Sequence, residues 1–581
     1  MAKKLRGRKG SAKKVGKRRK VRESVEKVIP KKVKKPVKAP KEPEKVAVKR
    51  EKVKLGFLEK IRDKFKKKIV GKIEIKKYEP SKHGPVAVFK EVEGYKEVER
   101  YWVNEPYAFV TILYNEKKNE YLYNVVEPAL TPFEKELLGE LHKRLQDVLI
   151  LEGAGQTADR EATLMDKVRE LVRDYVGEIT PITFAKLMYY IKRNYLELGR
   201  INPLMYDPFI EDISCNGPNA PVFLYHKNYE NIETSIIFDE EELNAFVIRL
   251  AQQCGKHISI ADPMIDATMK DGSRIQMTLG KEVTTKGSTF TIRKFQEIPI
   301  TPVDLINWNT FSSEIMSYFW LCIENNKSLI FAGGTASGKT SSLNAACLFI
   351  PPKSKIVTLE DTRELKLPHP NWIAEVTRET FTGEETGEID MYELLRAALR
   401  QRPEYLLVGE VRGKEALVLF QAMSTGHTTF STMHADSVPS VIYRLENEPI
   451  NVPRTMLQAL DIICVQIQTY IGERRVRRAD KIAEITDIDP TTKKIRTTDI
   501  FVWNPVTDRF EKAGDSLVLD EIKQRRGWTT KELQRELKNR QTVLKYMVEK
   551  GIKDHRDITK IIQAYYINPE EVMKKVESKT L

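Results

Sequence analysis

Cysteine is scarce in this chain: five in 581 residues, Cys215, Cys254, Cys322, Cys347 and Cys464, with no CxxC pair among them. That spacing argues against a zinc ribbon, excludes a disulfide-stapled scaffold and fits a reducing cytosol. Long apolar runs are missing too. The nearest, around Ile315 to Ile323, is interrupted by Ser317 and falls well short of the roughly 20 residues that a membrane span requires. The N-terminus carries no apolar segment of the signal-peptide kind, so the body is expected in the cytoplasm. The length suits roughly three or four domains of about 150 residues. The 41% of apolar residues suffices for their cores.

Net charge is the third shortage, once its location is taken into account. The chain has 98 Lys and Arg against 82 Asp and Glu, a formal +16. Residues 1–40 alone hold 18 basic side chains, Lys3, Arg8, Arg18, Arg19 and Lys35 among them, and two acids, Glu23 and Glu26. Positions 41–581 therefore balance at 80 against 80. A body neutral in this way is not a nucleic-acid coat, which is basic over its whole surface. High Lys and Glu usage with few Cys leans toward a thermophile.

Residues 1–54 are Lys-rich and punctuated by Pro30, Pro36, Pro40 and Pro43. This composition cannot bury enough surface to fold, and the stretch is expected to be disordered. Next, Phe57, Leu58, Ile61 and Phe65 stand at helical spacing among Lys60, Arg62, Lys64, Lys66 and Lys67. Such a helix either lies on an anionic membrane, through residues 1–67 together, or packs its apolar stripe on the body. Apolar runs at Ala108 to Leu113 and Glu120 to Val126 flank a polar turn and predict a hairpin. Helical periodicity follows at about Phe133 to Leu151, Ala162 to Val176 and Thr183 to Leu198, with Gly199 as the stop. Strands and turns with one helix near Glu241 to Cys254 predict a compact α+β domain over 201–300. Residues 301–505 alternate strand and helix, the pattern of a parallel α/β core, and 506–581 return to helices, with capping-box spacing at Thr529 and Glu532. The expected division is thus 1–54, 55–200, 201–300, 301–505 and 506–581.

The chemistry concentrates in the fourth segment. An apolar strand at Ser328 to Ala332 runs into Gly333, Gly334, Thr335, Ala336, Ser337, Gly338, Lys339 and Thr340, a full match to G-x-x-x-x-G-K-[ST], and a helical run begins at Ser341. In this context glycines let backbone N–H groups curl around phosphates, Lys339 neutralises the β and γ oxygens, and the Thr340 hydroxyl can hold Mg²⁺. A second strand ends in Glu360, Asp361, Thr362, Arg363 and Glu364; a third, Tyr405 to Val408, ends in Gly409, Glu410, Val411 and Arg412. Carboxylates at the ends of core strands beside a phosphate loop supply water orientation and Mg²⁺ ligation, as ATP hydrolysis requires. An Asp usually follows the third strand in such cores; Gly409 stands there instead, with Glu410 one residue later. His427 and His434, seven residues apart with no cysteine nearby, are poorly spaced for zinc and better suited to nucleotide sensing.

In these residues the chain resembles the secretion-superfamily hexameric ATPases of type II and type IV secretion, type IV pili and the archaellum. Four of that family's motifs match in order: the Walker A loop at Gly333 to Thr340, the Asp box at Glu360 to Glu364, the atypical Walker B at Leu406 to Arg412 and the His box at Gly426 to His434. Upstream, Asp207 to Ile213, Asp271 to Arg274 and Gly287 to Phe295 resemble the archaeal branch, and the likeness covers roughly residues 95 to 505. It implies an α/β, RecA-like P-loop ATPase core preceded by an α+β N-terminal domain, with helical additions and a disordered basic tail. It further implies that Glu364 is the general base, supported by Glu360 and Asp361. Glu410 would hold Mg²⁺ through water, Arg274 and Arg293 would be arginine fingers, and His434 would report nucleotide state across an interface. ATP and Mg²⁺ are the implied cofactors. The implied partners are five further copies in a homo-hexamer and an integral-membrane platform protein at the inner face of the cell membrane. The four-cysteine zinc element frequent in bacterial relatives is missing, which favours an archaeal or retraction-type relative and removes zinc. Phe430 in the middle of the His box leaves the role of His427 open.

These features lead to an ATP-driven motor that assembles a pilus-like or archaellum-like filament or exports protein. The alternative from the basic tail is a nucleic-acid translocase or RNA-binding ATPase. The balanced body lacks the positive channel and interleaved aromatics that strand tracking needs, so nucleic acid is not the expected partner. A nucleotide-gated scaffold without turnover is the third reading, and the intact acids argue against it.

Overall fold

The computed structural model describes residues 77–151, 160–176, 179–295, 298–378, 389–472, 474–492 and 494–580. The basic tail and the amphipathic segment at 57–67 lie outside these described residues.

Two mixed sheets organise the body. The first contains β1 (Lys96–Asn104), β2 (Ala108–Asn115), β3 (Glu120–Val126), β4 (Ile210–Cys215), β5 (Pro221–His226), β6 (Glu230–Ile237), β7 (Met264–Thr268), β8 (Arg274–Thr278) and β9 (Thr289–Arg293). Their order is β1-β2-β3-β6-β5-β4-β9-β8-β7. The predicted hairpin is β2–β3, and its near-continuous apolar run explains why β2 is buried along almost its whole length. The boundary expected at residue 200 does not separate two sheets. β3 pairs in parallel with β6 across it, because Val110, Ile112 and Tyr123 share one core with Ile213, Leu224 and Phe290. The helix Glu240–Gln253, capped by Asp239, packs Leu243, Phe246, Val247 and Leu250 on that core. The predicted helices before residue 200 are present as Pro132–Leu151, Arg160–Val176 and Pro181–Tyr195. They form a small bundle around Leu137, Leu141, Val168, Val172, Leu187 and Ile191.

The second sheet holds β10 (Leu329–Gly333), β11 (Ile356–Glu360), β12 (Trp372–Val376), β13 (Tyr405–Val408), β14 (Thr428–Met433), β15 (Ile462–Ile471), β16 (Arg474–Ile488), β17 (Ile495–Asn504) and β18 (Arg509–Lys512). The order is β12-β11-β13-β14-β10-β15-β16-β17-β18. Pairing is parallel from β12 to β15 and antiparallel from β15 to β18. Strands covered on both faces read as unbroken apolar runs, and β10, β11 and β13 are buried at every position. Alternate side chains serve opposite layers: Leu329 and Phe331 join one core, Ile330 and Ala332 the other. The first of these cores extends into the C-terminal helices through Val543, Leu544, Met547, Ile562 and Tyr565, with Trp320 stacked on Phe349. The last strand, β18, pairs with β17 before the C-terminal helices begin at Leu517.

The parallel pairing has one consequence for function. The carboxyl ends of β10, β11, β13 and β14 open on a single edge, and at each of those ends the sequence carries one of the four motifs.

Candidate active site

The phosphate loop leaves β10 where backbone crowding admits only glycine. A Cβ on Gly333 would stand 2.3 Å from the Gln466 carbonyl and 2.5 Å from Ser337 Oγ. Gly338, at a φ of 93°, turns the chain into the helix Lys339–Cys347. Lys339 is buried, and its Nζ donates to the carbonyls of Gly333 (3.0 Å) and Gly334 (2.8 Å). It also lies 3.4 Å from His434 Nδ1. Burial pulls its ammonium pKa down against the attraction of Glu410 and Glu364.

At the end of β11, Glu360 is buried, and its Oε1 accepts the backbone N–H groups of Glu364 (2.9 Å) and Leu365 (3.0 Å). It thereby shapes the loop that presents Glu364. Its Oε2 is buried without a partner. Burial raises its carboxyl to about 7, against the two N–H groups that favour the charged form. The same side chain accounts for Gly409: a Cβ there would meet Glu360 Cγ at 3.2 Å and the Leu359 carbonyl at 3.5 Å. Any side chain in the place of the usual Asp after β13 would therefore crowd the Glu360 side chain. A carboxyl whose folded pKa lies above its unfolded value stabilises the fold fully below about 4.5, and that contribution is lost as pH rises through about 7. Glu360→Gln is therefore expected to flatten the fall in melting temperature between about pH 5 and 8. A slope equal to that of the parent protein would rule Glu360 out as its source.

Glu410, at the end of β13, sits among Arg412, Lys339 and His434. Its Oε2 accepts from Arg412 Nη2 (2.6 Å), and its Oε1 is 3.3 Å from His434 Nε2. Burial opposes its ionisation, but Arg412, His434 and Lys339 together hold the carboxyl below the usual range. Arg412 also pairs with Asp361 at 3.6 Å. Burial and then Lys339 lower the His434 imidazole below its usual range, and the ring stands between the loop lysine and Glu410. His427 lies at the opposite end of β14, against the Ala422 carbonyl and Thr425. Phe430 between them is a core residue packed on Tyr405.

The first sheet contributes Arg274, whose Nη2 is 3.3 Å from Glu364 Oε1. Its turn is tightly built. Asp271 accepts from the backbone N–H (3.1 Å) and hydroxyl (2.7 Å) of Ser273, and Ser273 Oγ accepts from Phe295 N (3.0 Å). Gly272, at a φ of 90°, lies against the Phe295 ring. Arg274 Nε is buried and unpartnered, a donor without an acceptor at the site. Arg293, directly opposite Arg274 on β9, instead pairs with Asp212 at 3.4 Å and is largely exposed. The structure thus brings together Lys339, Glu360, Asp361, Glu364, Glu410, His434 and Arg274, and leaves Arg293 and His427 outside. It adds Arg412, Gln466 and Arg477. Of these, the run Arg474, Arg475, Arg477, Arg478 was the signal that sequence reading passed over.

The donor set suits Mg²⁺, a hard cation that takes oxygen ligands and keeps several waters. Thr340 opens the helix, and Glu410 Oε1 is a buried oxygen with no hydrogen-bond donor.

Comparison with known proteins adds three family matches. The description "Type II/IV secretion system protein" matches residues 197–502, "PilB3-like, N-terminal" matches 57–129, and "PilB3-like, C-terminal" matches 506–580. The uncharacterized protein MJ0900 of Methanocaldococcus jannaschii is 41% identical over 394 residues, covering 67% of this chain and 71% of that protein. The type IV secretion system protein PtlH of Bordetella pertussis is 27% identical over 314 residues, covering 48% of this chain and 92% of its own. Among solved structures, the VirB11 ATPase of the Brucella suis type IV secretion system is similar at 24% identity. That match covers 48% of this chain and 91% of that one, with a TM-score of 0.26.

Proposed function

Since the chain belongs to the type II/IV secretion system protein family, we propose that it is a hexameric ATPase motor whose hydrolysis cycle moves its N-terminal domain against its P-loop domain. The motion would work on an integral-membrane platform protein to assemble a pilus-like or archaellum-like filament or to export protein. The observation that carries this reading is the contact between Arg274 of the first sheet and Glu364 of the second, made at the edge where the four motifs converge.

ATP binding would draw Lys339 Nζ from the Gly333 and Gly334 carbonyls onto the β and γ oxygens, while the loop N–H groups cradle the phosphates. Thr340 and Glu410, the latter through water, would hold Mg²⁺, which when bound neutralises the charge that develops on the phosphates. Glu364 is the base that orients and deprotonates the attacking water, with Glu360 fixing its loop. Arg274 would leave Glu364 for the γ-phosphate, releasing the carboxylate at the moment the site closes. Asp361 supports Glu410 through Arg412, and His434 transmits the displacement of Lys339 to Glu410. Arg293 would be recruited only if a neighbouring subunit drew it from Asp212. The working units are the N-terminal domain up to about residue 300, the P-loop domain through β18, and the helical extension from Leu517.

Among the described residues, no helix is long and apolar enough to cross a membrane. The basic tail is read as the attachment. At about 1 kcal/mol per Lys or Arg beside an anionic leaflet, a few engaged residues in each of six copies would hold a ring there. The test joins three measurements: phosphate release from MgATP, light scattering with nucleotide, and sedimentation with anionic liposomes. Turnover and a hexamer are expected. Deletion of residues 2–54 is expected to spare hydrolysis while weakening liposome binding severalfold; unchanged binding would leave the tail without this role, and absence of turnover would end the motor reading.

A further inference from the structure

The hairpin β15–β16 runs beside the phosphate loop, β15 being paired with β10. Gln466, on β15, is fully buried; its carbonyl abuts Gly333, and its side chain donates to Ser342 Oγ (2.8 Å). Two residues further out, the Gln468 amide can donate to the Ala336 carbonyl at 3.1 Å while accepting from Arg475. From β16, Arg477 Nε donates to the same Ala336 carbonyl at 2.9 Å. Ala336 is the loop's non-glycine residue in the left-handed conformation, at a φ of 59°. The Arg477 chain runs across Gly338, its Cδ 3.4 Å from where a Cβ there would stand.

This arrangement uses only one edge of the guanidinium. Arg477 Nη1 and Nη2 make no hydrogen bond, and neither Arg475 nor Arg477 joins an ion pair, among the described residues. The surroundings are basic. Lys227, which follows β5, is close enough to Arg477 for their charges to repel, with Glu211 and Asp207 the acids that act on Lys227, and Arg475 Nη1 reaches Tyr225 at 3.2 Å. An Arg that is partly exposed, pre-oriented by one hydrogen bond and without a counter-ion is a stored charge-assisted donor pair. The ligand expected beside this loop is a magnesium-bound polyphosphate, which remains anionic after Lys339 is counted.

We propose that Arg477 is a phosphate-positioning residue supplied from within the same chain, holding the loop by Nε and presenting its two terminal nitrogens to the phosphates of the bound nucleotide. It differs from Arg274 in origin and in timing. Arg274 comes from the other sheet and is occupied by Glu364, whereas Arg477 is already on the loop. Its contribution therefore belongs to nucleotide affinity, not to the closed, reacting state.

The inference rests on the nucleotide-binding reading above, and the test separates the two. The full chain is titrated with a non-hydrolysable MgATP analogue, as are Arg477→Gln and Arg477→Lys. Glutamine keeps a donor for the Ala336 carbonyl but loses the charge; lysine keeps the charge. A dissociation constant raised roughly tenfold or more in Arg477→Gln and largely restored in Arg477→Lys, with the melting temperature of the nucleotide-free protein near the parent value in both, is the expected result. Parent-like affinity in Arg477→Gln would overturn the proposal and leave Arg477 as a brace for the loop. Equal loss in both variants with a lowered melting temperature of the nucleotide-free protein would overturn it as well. A parent chain that binds no analogue defeats the nucleotide reading itself.

Discussion

Lys339→Ala is expected to reduce ATP turnover by about 10³-fold or more while leaving the melting temperature of the nucleotide-free protein nearly unchanged. The asymmetry follows from where the ammonium spends its hydrogen bonds. Among the described residues it reaches only the carbonyls of Gly333 and Gly334 and the vicinity of His434, and burial already disfavours its charge. Removing it relieves a desolvated cation in the resting protein and deletes a cation from the transition state, where charge is concentrated on the transferred phosphoryl group. Phosphate release and thermal denaturation on the same preparation check both halves. Turnover that persists in this variant would overturn the assignment of the loop as the catalytic phosphate site.

The second large effect belongs to Arg274. Arg274→Ala is expected to lower kcat by roughly 10³ to 10⁵ with KM changed little, as for arginines that act only on the developing phosphoryl charge. Its buried, unpartnered Nε and its contact with Glu364 mark it as poised at the site. Arg293→Ala should cost far less in the isolated subunit, because Asp212 holds that side chain away from the second sheet. If steady-state rates gave the two variants equal defects, the ordering of the two arginines would be wrong. Glu364→Gln provides the complementary measurement: if Glu364 is the proposed base, kcat is expected to fall while the analogue still binds.

Much of this was legible in the residues, and the physical reasons differ from case to case. The phosphate loop is readable because its chemistry requires particular residues at fixed offsets. Gly333 and Gly338 stand where backbone contacts or a positive φ exclude other side chains. The carboxylates after β11 and β13 are readable because strand ends are marked by an apolar run giving way to charge. Other features depend on partners distant in sequence. Gly409 looked like a departure from pattern, and only the Glu360 side chain lying across it explains the glycine. Arg274 and Arg293 looked equivalent as candidate fingers, directly opposite on neighbouring strands, yet different surroundings gave one Glu364 and the other Asp212. His427 and His434 were seven residues apart in one motif; a strand of that length puts them at opposite ends. Arg477 carried no motif at all, since its meaning comes from a hairpin folded over the loop.

By itself, then, the sequence determined the order of the motifs and the elements that bear them, because hydrophobic periodicity and residue spacing are local properties of the chain. The tertiary structure alone decided which of the charged residues meet. Parallel pairing of β10, β11, β13 and β14 gathers four separated strand ends on one edge, and the approach of the first sheet selects Arg274 over Arg293. Electrostatic partnership depends on separation in space, and the chain's order constrains that separation only after the sheets have formed.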